Sequence, residues 1–302
     1  MSNGVNLNLF PLAGLANKTT VHCNESGKMI TYKSDRYGFN NPDYVWDEKN
    51  IDFVTIGDSF AHGDCVEQYE TVASRLQTLS NKHGINLGMG GNGPLLELAT
   101  LSEYGLILKP KTIYWMYFEG NDLFDLQTEK SSAKLLGYLS NNYWQNLPSR
   151  TKEIDSELNN WLRQRTSDRD KYTLLNFFFL KSLRSYILAV FFGNSRLADF
   201  ESLWPTMEET LSTAVKLAKG WGGRVVFVYI PAYGRYINNV DHDLFLNRKL
   251  TLESVRSLKI EIIDLHPCLA STGDPLSYFP FRENGHFTSA GYELITKCIV
   301  AQ

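Results

Sequence analysis

The chain has 302 residues, a formal net charge of -3, and 43% hydrophobic and 13% aromatic residues. That length allows one large domain or two small ones, with ample material for a core. The slight acidity offers no basic footprint for nucleic acid, and neither internal repeats nor low-complexity stretches are present.

The first 50 residues carry Cys23-Asn-Glu-Ser-Gly and, from Ser34, Ser-Asp-Arg-Tyr-Gly-Phe-Asn-Asn-Pro. Both read as turn-rich, extended segments laid over a body that begins at Ile51. From there, apolar periodicity and breakers predict strand 51–57, helix 66–82, strand 85–88, helix 94–107 and strand 112–118. After an interruption come helix 206–219, strand 224–230, helix 244–257, strand 259–264 and helix 288–300. Strands alternating with helices imply a parallel sheet covered on both faces. Five such strands fit an α/β fold of the flavodoxin-like, three-layer α/β/α kind.

The interruption at 127–202 reads as a helical insertion, with helices at Ser132–Asn141, Glu153–Arg165 and Thr173–Phe192. The last has the length of a membrane span, but Asn176, Lys181, Arg184 and Ser185 break its middle. A charge at the bilayer centre costs about 2.5–3.5 kcal/mol, so a helix packed on the body or a lid is expected instead. No positively charged start precedes an apolar core, so no signal peptide is visible. With the abrupt Met1-Ser-Asn-Gly opening, a removed anchor and an extracytoplasmic location are the expectation. Four cysteines do not fix the compartment; Cys23 and Cys65 are conceivable disulfide partners, free buried thiols being the alternative.

Four blocks carry chemistry. The strand 51–57 ends in Gly57-Asp58-Ser59, which places a serine at the carboxyl edge of a parallel sheet, where α/β folds bind ligands. Asn86-Leu-Gly-Met-Gly-Gly-Asn-Gly-Pro94 breaks a strand into glycines that let backbone N–H groups turn outward. The strand 112–118 runs into Glu119-Gly120-Asn121-Asp122, and Arg282-Glu-Asn-Gly-His286 precedes a helix that Thr288 can cap. Each block has a plainer reading taken singly. Ser59 or Asn121 could cap a helix, the glycines could form a tight turn, and His286 could sit on a surface loop.

Together, Ser59, Gly91, Asn121 and His286 in that order resemble the SGNH (GDSL-type) hydrolase superfamily, across the frame from residue 51 onward. The resemblance implies an esterase in which His286 is the base for Ser59. Its oxyanion hole would be formed by Ser59, Gly91, five residues on from Asn86, and Asn121. The family's last block is usually Asp-x-x-His, whereas the residue three before His286 here is Glu283. Glu283 is therefore the candidate acid, with Asp264 or a Ser59–His286 dyad as alternatives. His62 is expected as a wall of the site, and Tyr233 and Arg235 as substrate contacts, among loops whose aromatic side chains could stack a sugar. The motifs require no metal or cofactor. The expected substrate is a small or glycan-borne acyl ester. An O-acyltransferase of surface polysaccharide using the same residues, and a non-catalytic glycan-binding relative, are the alternatives.

Overall fold

A computed structural model describes residues 9–140, 143–163, 200–237 and 247–302. Two strands, β1 (Thr19–Cys23) and β2 (Ile30–Lys33), form an antiparallel hairpin in the N-terminal arm. The main sheet contains β3 (Phe53–Gly57), β4 (Gly84–Asn86), β5 (Thr112–Phe118), β6 (Arg224–Ile230) and β7 (Glu261–Asp264). Its order is β4-β3-β5-β6-β7, and every pairing is parallel. This is the flavodoxin-like order, in which the chain reverses direction across β3 and leaves a crevice at the carboxyl strand ends.

Period-two alternation explains why both faces are covered. Ile113, Trp115 and Tyr117 of β5 and Val225, Phe227 and Tyr229 of β6 join one core cluster. Met116, Val226, Val228 and Ile230, on the opposite face, join a second. Helices α3 (Pro94–Thr100), α5 (Asp122–Glu129), α7 (Phe200–Gly220) and α8 (Asn247–Ser257) supply the first side. Helices α1 (Ser59–His62), α2 (Val72–Ser80), α9 (Leu265–Ala270) and α10 (Ser289–Val300) supply the other. Between α3 and the short α4 (Leu106–Leu108) lies a π turn at Leu101–Gly105, and α6 (Ala133–Gly137) follows α5. Thr71 and Thr288 cap α2 and α10 through their hydroxyls, accepting from Ser74 and Gly291 N–H at 3.3 and 3.2 Å.

The strands at 112–118 and 224–230 have the limits expected from sequence, whereas β3, β4 and β7 are shorter than expected by one to two residues. Within the insertion, α6 and helical residues 151–163 are seen, and the stretch Thr173–Phe192 lies outside the described residues. Among the described residues, no helix is long and apolar enough to cross a membrane.

The arm is seated by buried polar groups. Asp35, fully buried, accepts from the N–H groups of Tyr37 and Phe39, from Asn41 Nδ2 and from Trp46 Nε1 at 2.7 to 3.0 Å. Asn41 then pairs with the backbone of Asn86 on edge strand β4, donating at 2.8 Å and accepting at 2.9 Å. The motif around Asp35 is thus a bracket for the sheet edge. A disulfide between Cys23 and Cys65 ties the hairpin to the loop after α1, and another joins Cys268 of α9 to Cys298 of α10.

The Cys23–Cys65 bond closes 42 residues of chain, for which loop entropy alone predicts about 4 kcal/mol. The Cys23→Ser, Cys65→Ser double variant should therefore unfold at lower denaturant by up to about that amount, as read from equilibrium urea unfolding.

Candidate active site

Ser59 is the first residue of α1, immediately after the carboxyl end of β3. Its own N–H belongs to the first helical turn, where donors have no intrahelical acceptor. Asp58 accepts the Phe60 N–H at 2.8 Å and so holds this turn. The strand ends approach closely here: a Cβ on Gly88 would lie 2.4 Å from the His62 backbone nitrogen, so only glycine fits.

His286 Nε2 lies 2.8 Å from Ser59 Oγ. The opposite ring nitrogen, Nδ1, is 3.0 Å from Glu25 Oε1, while Glu25 Oε2 accepts the His286 backbone N–H at 2.8 Å. The carboxylate at the histidine is thus Glu25, from the hairpin loop, and not Glu283. Phe281 and Arg282 both adopt positive φ, 53° and 60°, and turn the chain so that Glu283 is exposed to solvent. Gly285 leaves the space that Glu25 uses: a Cβ there would stand 2.6 Å from Glu25 Oε2. The other expected acid, Asp264, is ion-paired with Arg248 and caps α9 through the His266 N–H.

Sequence reasoning passed over Glu25. The available signal was the Cys23–Cys65 pairing, because a bond from residue 23 to the loop beside Ser59 brings residue 25 to the same place. The bulge in β1 between Val21 and Cys23 re-aims successive side chains, so that His22 contacts Asp64 while Cys23 bonds Cys65.

Asn121 precedes α5 but makes no capping bond to it; its side chain bonds the Asp58 carboxylate next to Ser59. Its Oδ1 is buried, with no hydrogen-bond partner among the described residues. Gly91 has φ +81°, a left-handed conformation that suits glycine, and it lines the cavity above Ser59. The Gly90–Gly93 turn is held by Glu129, which accepts the N–H groups of Gly93 and Leu95 at 2.7 and 2.8 Å.

The cavity at Ser59 and His286 measures about 710 Å³. Leu15, Met89, Leu158, Trp161 and Leu162 make apolar walls, and Thr19, Thr20, His22, His62 and Asp64 make a polar end. His62 therefore lines the site. Tyr233 and Arg235, expected as substrate contacts, are not among the lining residues. Glu119 engages the Arg235 guanidinium, and the Tyr233 hydroxyl donates to the Arg282 carbonyl at 3.0 Å. An arginine among aromatic loops reads the same in sequence whether it faces a ligand or a buried glutamate.

No family model matches the chain, and no curated protein matches it. Among solved structures it is similar to a member of the lipolytic G-D-S-L family from Veillonella parvula. That likeness has 12% identity and a TM-score of 0.46, covering 83% of this chain and 97% of the other. It is also similar to the lipase/acylhydrolase from Enterococcus faecalis, at 16% identity and TM-score 0.44 over 82% of this chain and 93% of that one. A third is the acetylxylan esterase Axe2 from Geobacillus stearothermophilus, at 13% identity and TM-score 0.44 over 82% and 92%. Lipolytic hydrolases and an esterase are thus among the structures this chain is similar to.

Behind Ser59 lies a group of buried acids. Burial pushes Glu129 up to about 7 and Asp125 up to about 6, and raises Asp58, Glu97 and Asp122 as well. Glu97 is fully buried, and the indole of Trp115 is the polar side chain that faces its carboxyl. A carboxyl whose folded pKa is raised binds its proton more tightly than in the unfolded chain. Its stabilising contribution is full below the unfolded carboxylate range, about 4, and disappears as pH rises through its folded value. The melting temperature should therefore fall as pH rises from about 4 to about 7. Glu97→Gln, which removes one titrating group and its repulsion of the others, should flatten that fall. A melting temperature that rises across this interval would contradict neutral buried acids.

Proposed function

We propose that this chain is a serine esterase of the SGNH (GDSL) type, acting on acyl esters of small alcohols or carbohydrates. The observation that carries the reading is the alignment of Ser59 Oγ, His286 and Glu25, with contacts of 2.8 and 3.0 Å through the two ring nitrogens. A serine hydroxyl needs an adjacent base to become a nucleophile, and imidazole is the side chain that titrates nearest neutrality.

Ser59 Oγ attacks the ester carbonyl carbon while its proton passes to His286 Nε2. The carbonyl oxygen becomes an oxyanion, facing the Ser59 N–H, the Gly91 N–H and the Asn121 amide as donors. The amide nitrogen has two hydrogens; the bond to Asp58 uses one and orients the group beside Ser59, leaving the second for the oxyanion. Collapse expels the alcohol, which takes the proton from His286, and leaves an acyl-serine. A water molecule, deprotonated by the same imidazole, then attacks the acyl carbon and restores Ser59. Throughout, Glu25 fixes the proton on Nδ1 and stabilises the imidazolium. The apolar walls suit an acyl group, and the polar end suits an alcohol with further hydroxyls. The two disulfides fit an oxidising, extracytoplasmic location.

Ser59→Ala should abolish hydrolysis of p-nitrophenyl acetate and covalent labelling by a serine-reactive phosphonate; stoichiometric labelling of that variant would refute the nucleophile. Glu25→Gln should lower kcat by about 100- to 10,000-fold, because the amide no longer favours the productive tautomer. In the same assay Glu283→Gln should stay within about twofold of the parent, since surface substitutions away from the site are close to neutral. The reverse ranking would return the acid role to Glu283. Asn121→Ala should reduce kcat about 100-fold with little change in KM, as removal of a transition-state donor does. An effect confined to KM would instead make Asn121 a ground-state contact.

A further inference from the structure

We propose that His22, His62 and Asp64 bind a divalent transition-metal ion, with Zn²⁺ as its representative, at the polar end of the cleft beside Ser59. The three side chains come from the β1 bulge, the last residue of α1 and the loop that follows it. Their donor atoms all lie within 4.8 Å of one another. His22 Nε2 is 2.6 Å and His62 Nδ1 3.0 Å from the same oxygen, Asp64 Oδ1. The side chains are only 8%, 5% and 19% exposed.

An internal hydrogen-bond cluster does not fully account for this arrangement. His62 Nδ1 approaches the Asp64 carboxylate to 3.0 Å without the alignment of a well-formed hydrogen bond. Two imidazole nitrogens converge on one oxygen, and only His22 is aligned to donate. An ion between the three donors would use the lone pair of each. Tetrahedral Zn²⁺ with bonds of about 2.0–2.1 Å needs donors roughly 3.3 Å apart, so the cluster would open by less than about 1 Å. His62 also has the outer support that metal-binding histidines usually have: its Nε2 lies 3.3 Å from the Tyr32 hydroxyl. The neighbouring sulfurs of Cys23 and Cys65 are tied up in a disulfide and are not thiolate ligands.

Two imidazoles and one carboxylate suit Zn²⁺ or a similar borderline ion and leave further coordination positions for water or a substrate oxygen. Asp64 Oδ2 stands 4.0 Å from His286 Nε2, on its Ser59 side. A substrate hydroxyl next to the scissile ester would meet the ion there. The site is independent of whether Ser59 acts as nucleophile.

The test is to strip the full-length protein with a chelator, dialyse it against Zn²⁺, and count bound metal by mass spectrometry. Co²⁺ is used in parallel and followed by visible absorption. One ion per chain is expected, and Ser59→Ala should keep it. Asp64→Asn and His22→Gln should each weaken binding by more than the roughly 10- to 100-fold typical of losing outer support, and Tyr32→Phe by about tenfold. Zn²⁺ should raise the melting temperature of the parent but not of His22→Gln, which separates lost ligation from a damaged fold. No bound ion in the parent, or binding and thermal shift that survive in His22→Gln and Asp64→Asn, would overturn the site.

Discussion

The candidate site depends on one carboxylate reaching across 261 residues of sequence to hold a histidine by two atoms. Glu25 accepts both the ring Nδ1 and the backbone N–H of His286, so it sets where the residue sits as well as which way the imidazole turns. A carboxylate with one contact could swing; two contacts to the same residue leave little freedom. Glu25 itself lies on a hairpin loop, an element with little intrinsic rigidity. Its position is therefore borrowed from the bonds that seat the arm. Cys23, two residues away, is covalently tied to the loop after Ser59, and Asp35 with Asn41 fastens the far end of the hairpin to β4.

The same groups connect the arm to Ser59. Asn40 and Asn86 both donate to the His62 carbonyl, at 3.0 and 3.2 Å, at the end of the helix that Ser59 begins. Gly88 allows β4 to pass against that helix without a side chain between them. On the other flank, Glu129 holds the glycine turn, and Asp58 holds both Phe60 N–H and the Asn121 amide. Buried carboxyls used as acceptors in this way require either ionisation at a cost or protonation. Burial raises the pKa of these groups and so shifts the balance toward the protonated form.

What could be read from sequence follows from how local each signal is. Strands β5 and β6 are long, apolar and buried on both faces, so their limits were legible from the run of residues alone. Ser59 and His286 were legible because each closes a strand or opens a helix, a position recognisable from a few neighbours. Glu25 has no such local signature: its role arises from a disulfide and a bulge that act between distant segments. Glu283 had the right spacing, but spacing along a chain is not direction, and the left-handed pair Phe281–Arg282 turned it outward. For Tyr233 and Arg235, composition identified loops near the strand ends but not that Glu119 would claim the guanidinium.

These relations change how the arm should be regarded. Apolar alternation begins at Ile51, and a boundary drawn there is natural for the sheet, since every strand of it follows. For the chemistry it is the wrong division, because Glu25, His22 and one half of the Cys23–Cys65 bond lie before it. A fold nucleus and a working site need not share limits. The sheet places Ser59 at its carboxyl edge, and the loop before α10 brings His286 to it. Glu25, the carboxylate that holds His286, comes from outside the sheet, and its hairpin is seated by one covalent bond and a small set of buried polar contacts.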